Sequence, residues 1–183
     1  MSRTRILALL VSILAIASAA NAQDFRQRFV GKSPCAPELK SGHSDFSLRL
    51  DKTQQTTLSY LNLNKRKILL IVQPTGDAEH CGVIRDLVQL TNIDKDFEFR
   101  CFDSQAPTDV LVGTAIRKGS TKMITALDAW RIDLERQTFV KIHHKAVCSA
   151  SGWDGADDGS DMVDAAKTYA EHGMPGRFPA TSN

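Results

Sequence analysis

The side chains best suited to bind a ligand are concentrated in one acidic loop near the C-terminus. Trp153 is followed by four aspartates, Asp154, Asp157, Asp158 and Asp161, on a segment that also contains glycine. Carboxylates clustered in this way can surround a hard cation such as Ca²⁺, which takes six to eight oxygen ligands. The indole of Trp153 offers a flat apolar surface on which a sugar or a peptide could stack. The sequence therefore predicts a ligand-binding loop formed by these residues.

The spacing of the aspartates departs from the helix–loop–helix calcium pattern. Counted from Asp154, the third position, which should supply an oxygen ligand, is Ala156. The twelfth position, where the pattern requires a glutamate, is Ala165. A simpler interpretation is a solvated loop whose carboxylates stabilise the positive N-terminal end of the helix that follows. We therefore predict no metal site and no cofactor, and a calcium-stabilised structural protein remains an alternative.

The histidines form no metal-binding or catalytic motif. His143 and His144 are adjacent, so on a strand they would point to opposite faces, and the neighbours of His143 on its own face are Lys141 and Lys145, which repel a cation. The chain contains neither a Gly-x-Ser-x-Gly elbow nor a His-Glu-x-x-His motif. We therefore assign no catalytic residue and expect a non-enzymatic protein. A secreted hydrolase whose groups meet only in three dimensions remains an alternative.

The four cysteines, Cys35, Cys81, Cys101 and Cys148, predict two disulfides. No two of them lie two to four residues apart, which is the spacing that structural zinc sites prefer. Three pairings are possible, and we favour the one that joins Cys81 to Cys101. Its second bond, from Cys35 to Cys148, would attach the irregular N-terminal stretch to the body of the domain.

Residues 1–22 have the features of a cleaved export signal. Arg3 and Arg5 give a positive start, residues 6–17 are almost entirely apolar, and Ala20 and Ala22 are the small residues that a signal peptidase recognises. The apolar stretch is shorter than the roughly 20 residues that a membrane-spanning helix needs. We therefore expect a protein that is exported to the bacterial periplasm or secreted, with no membrane anchor after cleavage.

Cleavage would also change the charge balance. Residues 1–22 hold two of the 23 basic residues and none of the 21 acidic ones, so 21 of each sign remain. A chain without net charge creates no overall field that attracts nucleic acid. We therefore expect no nucleic-acid partner, and predict an exported binding protein whose ligand or protein partner lies in the envelope or outside the cell.

Hydrophobic patterning predicts the elements that position these residues. Alternation of apolar and polar residues at 46–50 indicates a half-buried strand, and the continuous apolar run at 68–72 indicates a strand covered on both faces. Two antiparallel hairpins are predicted. Residues 97–101 pair with the strand that begins at 110–112, and residues 130–134 pair with 138–142.

Two segments have helical spacing. Residues 161–172 carry an apolar stripe, with Ser160 or Asp161 as the N-cap and Gly173 as the stop. In residues 81–93 the apolar side chains also recur at helical spacing, although Gly82 and several β-branched residues oppose a helix. We favour a helix for this segment and leave a strand open.

These elements predict the α+β class. We expect an antiparallel β-sheet of about five to seven strands built from hairpins, with a C-terminal helix, a second helix left open, and stabilisation by disulfides. The 161 residues that remain after cleavage suit one globular domain over 23–172, followed by a flexible C-terminal tail at 173–183.

Overall fold

The chain folds into two antiparallel β-sheets with few helices. The computed structural model describes residues 25–40, 42–51, 55–75, 81–90, 96–116, 123–149 and 162–172. The expected signal at 1–22 and the expected tail at 173–183 lie outside these residues. The elements of the described part are α1 (residues 25–29), β1 (His43–Arg49), β2 (Thr57–Leu63), β3 (Arg66–Pro74), β4 (Gly82–Leu90), β5 (Asp96–Phe102), β6 (Leu111–Ala115), β7 (Met123–Thr125), β8 (Asp128–Asp133), β9 (Thr138–Ile142), β10 (Val147–Ser149) and α2 (Met162–His172).

Sheet A has the strand order β1-β2-β3-β4, and each neighbouring pair is antiparallel. The turn between β2 and β3 consists of Asn64 and Lys65, which have φ angles of 49° and 66°. Two successive residues with positive φ are the mark of a type I′ turn, whose twist matches that of the strands it joins. This tight turn fixes the register of β2 against β3, pairing Leu63 with Arg66.

The helix predicted within residues 81–93 is wrong, because this segment forms β4. A β-bulge explains the error. Ile71 pairs with Asp86 while Val72 pairs with Ile84, so the residue between them on β4 is extra. The bulge places Ile84 and Leu87 in the same hydrophobic cluster although they are three positions apart. A bulged strand therefore reproduced the apolar spacing of a helix.

Sheet B has the order β7-β10-β5-β6-β8-β9. Both predicted hairpins are confirmed, since β5 pairs with β6 and β8 pairs with β9 in antiparallel fashion. The prediction of one sheet with five to seven strands is wrong, because the described residues form ten strands in two sheets. Strands β7 and β10 have only three residues each, too few for alternation to be visible in the sequence.

A central core lies between the two sheets. Strand β3 shows how sheet A is buried on both faces, as the run at 68–72 predicted: Leu69 and Ile71 enter the central core, whereas Leu70 and Val72 pack on the face turned away from sheet B. The central core comprises Leu50, Leu58, Tyr60, Leu69, Ile71, Leu90, Val110, Val112, Trp130, Ile132, Phe139, Met162 and Ala166. The last two belong to α2, which therefore closes one side of the core.

The prediction of two disulfides is confirmed, but the favoured pairing is wrong: the bonds are Cys35–Cys81 and Cys101–Cys148. The reason is strand order. Cys101 and Cys148 face each other on the paired strands β5 and β10, with 3.9 Å between their Cα atoms. A Cβ at Gly113 would lie 3.0 Å from the Cys101 Sγ and 3.2 Å from the Cys148 Sγ, so a larger residue there would be tightly packed against this bond.

One buried carboxylate joins three elements of the fold. Asp86 is 1% exposed, and its Oδ1 lies 2.6 Å from the Arg26 Nε in α1. The backbone N–H groups of Leu87 and Phe139 also donate to this carboxylate, at 2.7 and 2.8 Å. Because Phe139 belongs to β9, Asp86 connects sheet A with sheet B at the bulge of β4. A buried charge is tolerated only when it is paired and hydrogen-bonded, and here both conditions hold.

We predict that Asp86→Ala lowers the free energy of unfolding by about 3 kcal/mol, because it leaves two buried backbone N–H groups without an acceptor and removes the partner of Arg26. The change is measured by urea denaturation followed through tryptophan fluorescence. The control is Asp128→Ala, which removes an exposed pair with Lys141 and should cost at most about 1 kcal/mol. Equal effects of the two substitutions would contradict a special role for Asp86.

Thr114 provides a second test of the core. Its side chain is 4% exposed, and its Oγ1 has no hydrogen-bond partner among the residues that the structure describes. Burying a hydroxyl without a partner costs free energy, so Thr114→Val should stabilise the protein by about 1 kcal/mol. The matched control is Thr56→Val, because the equally buried Thr56 hydroxyl accepts a hydrogen bond from Gln137 at 3.2 Å. That variant should be destabilised, and a melting temperature that falls for both would refute the assignment.

Candidate ligand-binding groove

The acidic loop predicted from the sequence is not among the described residues. Trp153, Asp154, Asp157, Asp158 and Asp161 all lie outside them, and α2 begins at the next described residue, Met162. Ligand binding by this loop therefore stays a prediction. Among the residues that the structure does describe, no group of three or more histidine, cysteine, aspartate or glutamate side chains could hold a metal ion.

A groove of about 600 Å³ lies on the face of sheet A that is turned away from sheet B. We call it the outer groove. Its floor is formed by side chains of β1, β2 and β3, and its roof by residues 34–40 and 42, which precede β1. The floor includes the side chains of Ser47, Thr57, Ser59, Leu61, Leu70 and Val72.

Strand register gives the floor a polar side and an apolar side. Ser47 of β1 pairs with Ser59 of β2, and their hydroxyl oxygens are 3.1 Å apart. On β3, the residue opposite Ser59 is Leu70 and the residue opposite Thr57 is Val72. The floor therefore changes from hydroxyl groups near β1 to aliphatic side chains on β3. This layout can hold a molecule that has both an apolar and a polar part.

The roof is fastened to sheet A by covalent and backbone bonds. The disulfide joins Cys35 of the roof to Cys81, which precedes β4. Just before the roof, the N–H of Gly31 donates to the carbonyl of Ile84 at 2.8 Å, and the N–H of Ile84 donates to the carbonyl of Lys32 at 2.9 Å. These bonds hold the roof in place without a ligand, so the groove is formed in advance.

The roof also approaches the floor closely at its C-terminal end. A Cβ at Gly42 would lie 2.6 Å from the Cδ1 of Leu61, so a larger residue would require either the Leu61 side chain or the roof to shift. Leu39 is 3% exposed and belongs to the cluster that includes Leu61. Lys40 is exposed, makes no ion pair with any described residue, and is the one charged side chain among the described residues that line the groove.

A histidine–carboxylate pair lies on the other sheet. His144 Nε2 is 2.5 Å from the Oδ2 of Asp103, whose side chain is 4% exposed. Asp103 Oδ1 also accepts from the backbone N–H of Gln105 at 2.9 Å. The pair joins the loop after β5 to the loop after β9. Because β9 ends at Ile142, His143 and His144 lie in this loop and not on the strand. Neither residue of the pair lines the outer groove.

Sequence reasoning missed both of these features. The groove is built from the roof and from four separate strands, so no contiguous motif marks it. Asp103 carried one local signal, since an aspartate at the start of a turn often bonds a backbone N–H two residues ahead. Nothing in the sequence indicated that His144, 41 positions away, would be its partner.

Two further observations bear on function. No helix of the described part is long and apolar enough to cross a membrane. Comparisons with protein-family models, curated proteins and solved structures found no significant match to this chain.

Proposed function

We propose that this is an exported, non-enzymatic binding protein whose ligand occupies the outer groove. The observation that carries the proposal is the groove itself. Its volume of about 600 Å³ lies within the range of roughly 300–1,000 Å³ that is usual for small-molecule sites. A mostly apolar wall with a few hydroxyl groups is also typical of such sites.

The fixed roof supports this proposal. The Cys35–Cys81 bond and the backbone pair at Ile84 hold the roof over sheet A. A site that is formed in advance avoids the entropy cost of ordering its walls when the ligand binds. The two disulfides fit an oxidising compartment, which supports export.

Blocking the groove tests the proposal. The probe is N-phenyl-1-naphthylamine, an uncharged apolar dye whose fluorescence rises on binding. Ser47→Phe places an aromatic ring in the groove at an exposed strand position that tolerates it, and we expect the affinity for the dye to fall roughly tenfold. The control is Asn62→Phe, at an exposed position of β2 that does not line the groove.

The control variant should bind the dye as the unmodified protein does. Both variants should retain the original melting temperature, which separates loss of the site from loss of the fold. Unchanged dye affinity in Ser47→Phe would remove the support for the groove as the ligand site.

A secreted hydrolase is the second candidate, and the pair of His144 and Asp103 is the observation that favours it. A hydrolase needs a nucleophile within reach of the histidine as well. Among the described hydrogen bonds no hydroxyl contacts His144, so we assign the pair a structural role.

We expect His144→Ala to lower the free energy of unfolding by about 1–2 kcal/mol, because it leaves the buried Asp103 carboxylate with one partner fewer. The neighbouring His143→Ala is the matched control and should change little. Hydrolysis of p-nitrophenyl acetate and p-nitrophenyl butyrate should be equally slow in all three proteins. Hydrolysis that is fast in the unmodified protein and lost only in His144→Ala would instead establish the hydrolase.

A further inference from the structure

We infer that the outer groove selects an anionic amphiphile, a molecule with one apolar chain and a carboxylate or similar acidic head. This inference rests on the proposed function, because it names the chemical class of the ligand for the same groove.

The floor provides separate places for the two parts of such a molecule. The hydroxyl groups of Ser47 and Ser59 lie on paired positions of β1 and β2, whereas Leu70 and Val72 lie on β3. An apolar chain laid across the strands would bury its methylene groups against β3. Its head would then lie beside hydroxyl groups, which can donate hydrogen bonds to an anion.

The roof supplies the charge that complements this head. Lys40 lies two residues before Gly42, where the roof meets Leu61 of β2. Its ammonium group has no ion-pair partner among the described residues, and none of the described residues that line the groove carries a carboxylate. Lys40 is therefore the one charged side chain among the described residues that line the groove, and its charge is positive. A bound carboxylate would complete the pair, and a cationic head would be repelled.

The expected selectivity is modest because Lys40 is exposed. An ion pair in contact with water gains little, since water and salt screen the attraction. We therefore expect an anionic head to improve affinity by about 3- to 5-fold over an uncharged head of the same chain length. The apolar chain supplies the larger part of the affinity.

Two other occupants can be distinguished from an amphiphile. The outer edge of β1 is not paired with any described strand, so an extended peptide or a second copy of this chain could add to it. A peptide would gain its affinity from backbone hydrogen bonds, and a second copy would change the oligomeric state. Backbone pairing of either occupant along β1 makes no use of the positive charge of Lys40 at the groove.

Competition with the dye tests the inference. Decanoate, decanol and decyltrimethylammonium share one chain length and differ in the charge of the head. In the unmodified protein we expect decanoate to displace N-phenyl-1-naphthylamine at about 3- to 5-fold lower concentration than decanol, and the cationic compound to be the weakest. Raising the salt concentration should reduce these differences.

Variants of Lys40 test whether its positive charge causes the preference for decanoate over decanol. Lys40→Gln should make decanoate and decanol equivalent, and Lys40→Arg should retain the preference for decanoate. Lys145→Gln, which removes an exposed lysine outside the groove, is the matched control and should change nothing.

The outcomes separate this inference from the proposed function. If Ser47→Phe blocks the dye but decanoate and decanol compete equally in the unmodified protein, the inference fails and the groove remains a binding site. If Ser47→Phe leaves dye binding unchanged, both fail. Sedimentation velocity provides the last check: a dimer of the unmodified protein that dissociates in Ser47→Phe would assign the groove to a second copy of the chain and overturn the inference.

Discussion

The ion pair and hydrogen bonds of the Asp86 carboxylate are the contacts on which the remaining architecture depends. This carboxylate is buried, so the polar groups around it must donate hydrogen bonds to it or pair with it. Arg26, the N–H of Leu87 and the N–H of Phe139 meet this need from three different parts of the chain. The bulge in β4 is what turns Asp86 toward them, because it changes which side chains of that strand face each sheet.

The outer groove is connected to the same contact through a short series of bonds. Arg26 holds α1 against sheet A, and the residues that follow α1 then pair with Ile84 on β4. From there the chain continues into the roof, which the disulfide of Cys35 fastens a second time. The roof is therefore an extension of the packing at the bulge. This explains how a small β-protein can keep an open groove beside a densely packed core.

How much of this could be predicted from sequence depends on whether the signal was local. The doubly covered strand β3 and both hairpins of sheet B follow from residues close together in the chain. The strand β4 was misread because its bulge imitates helical spacing. The disulfide partners and the groove depend on strand order, to which a distant residue such as Cys148 gives no local clue. Long-range pairing is the information that a single sequence carries least visibly.

The connectivity of the disulfides has a consequence for how the chain matures. The first cysteine bonds the second, and the third bonds the fourth. Each bond also stays within one half of the sequence, since β1 to β4 are complete before β5 begins. A polypeptide threaded through a channel with its N-terminus first would present Cys35 and Cys81 to an oxidant before Cys101 emerges. If the chain is exported as proposed, vectorial oxidation of neighbouring thiols would yield the native pairs directly, without an isomerase to reshuffle them.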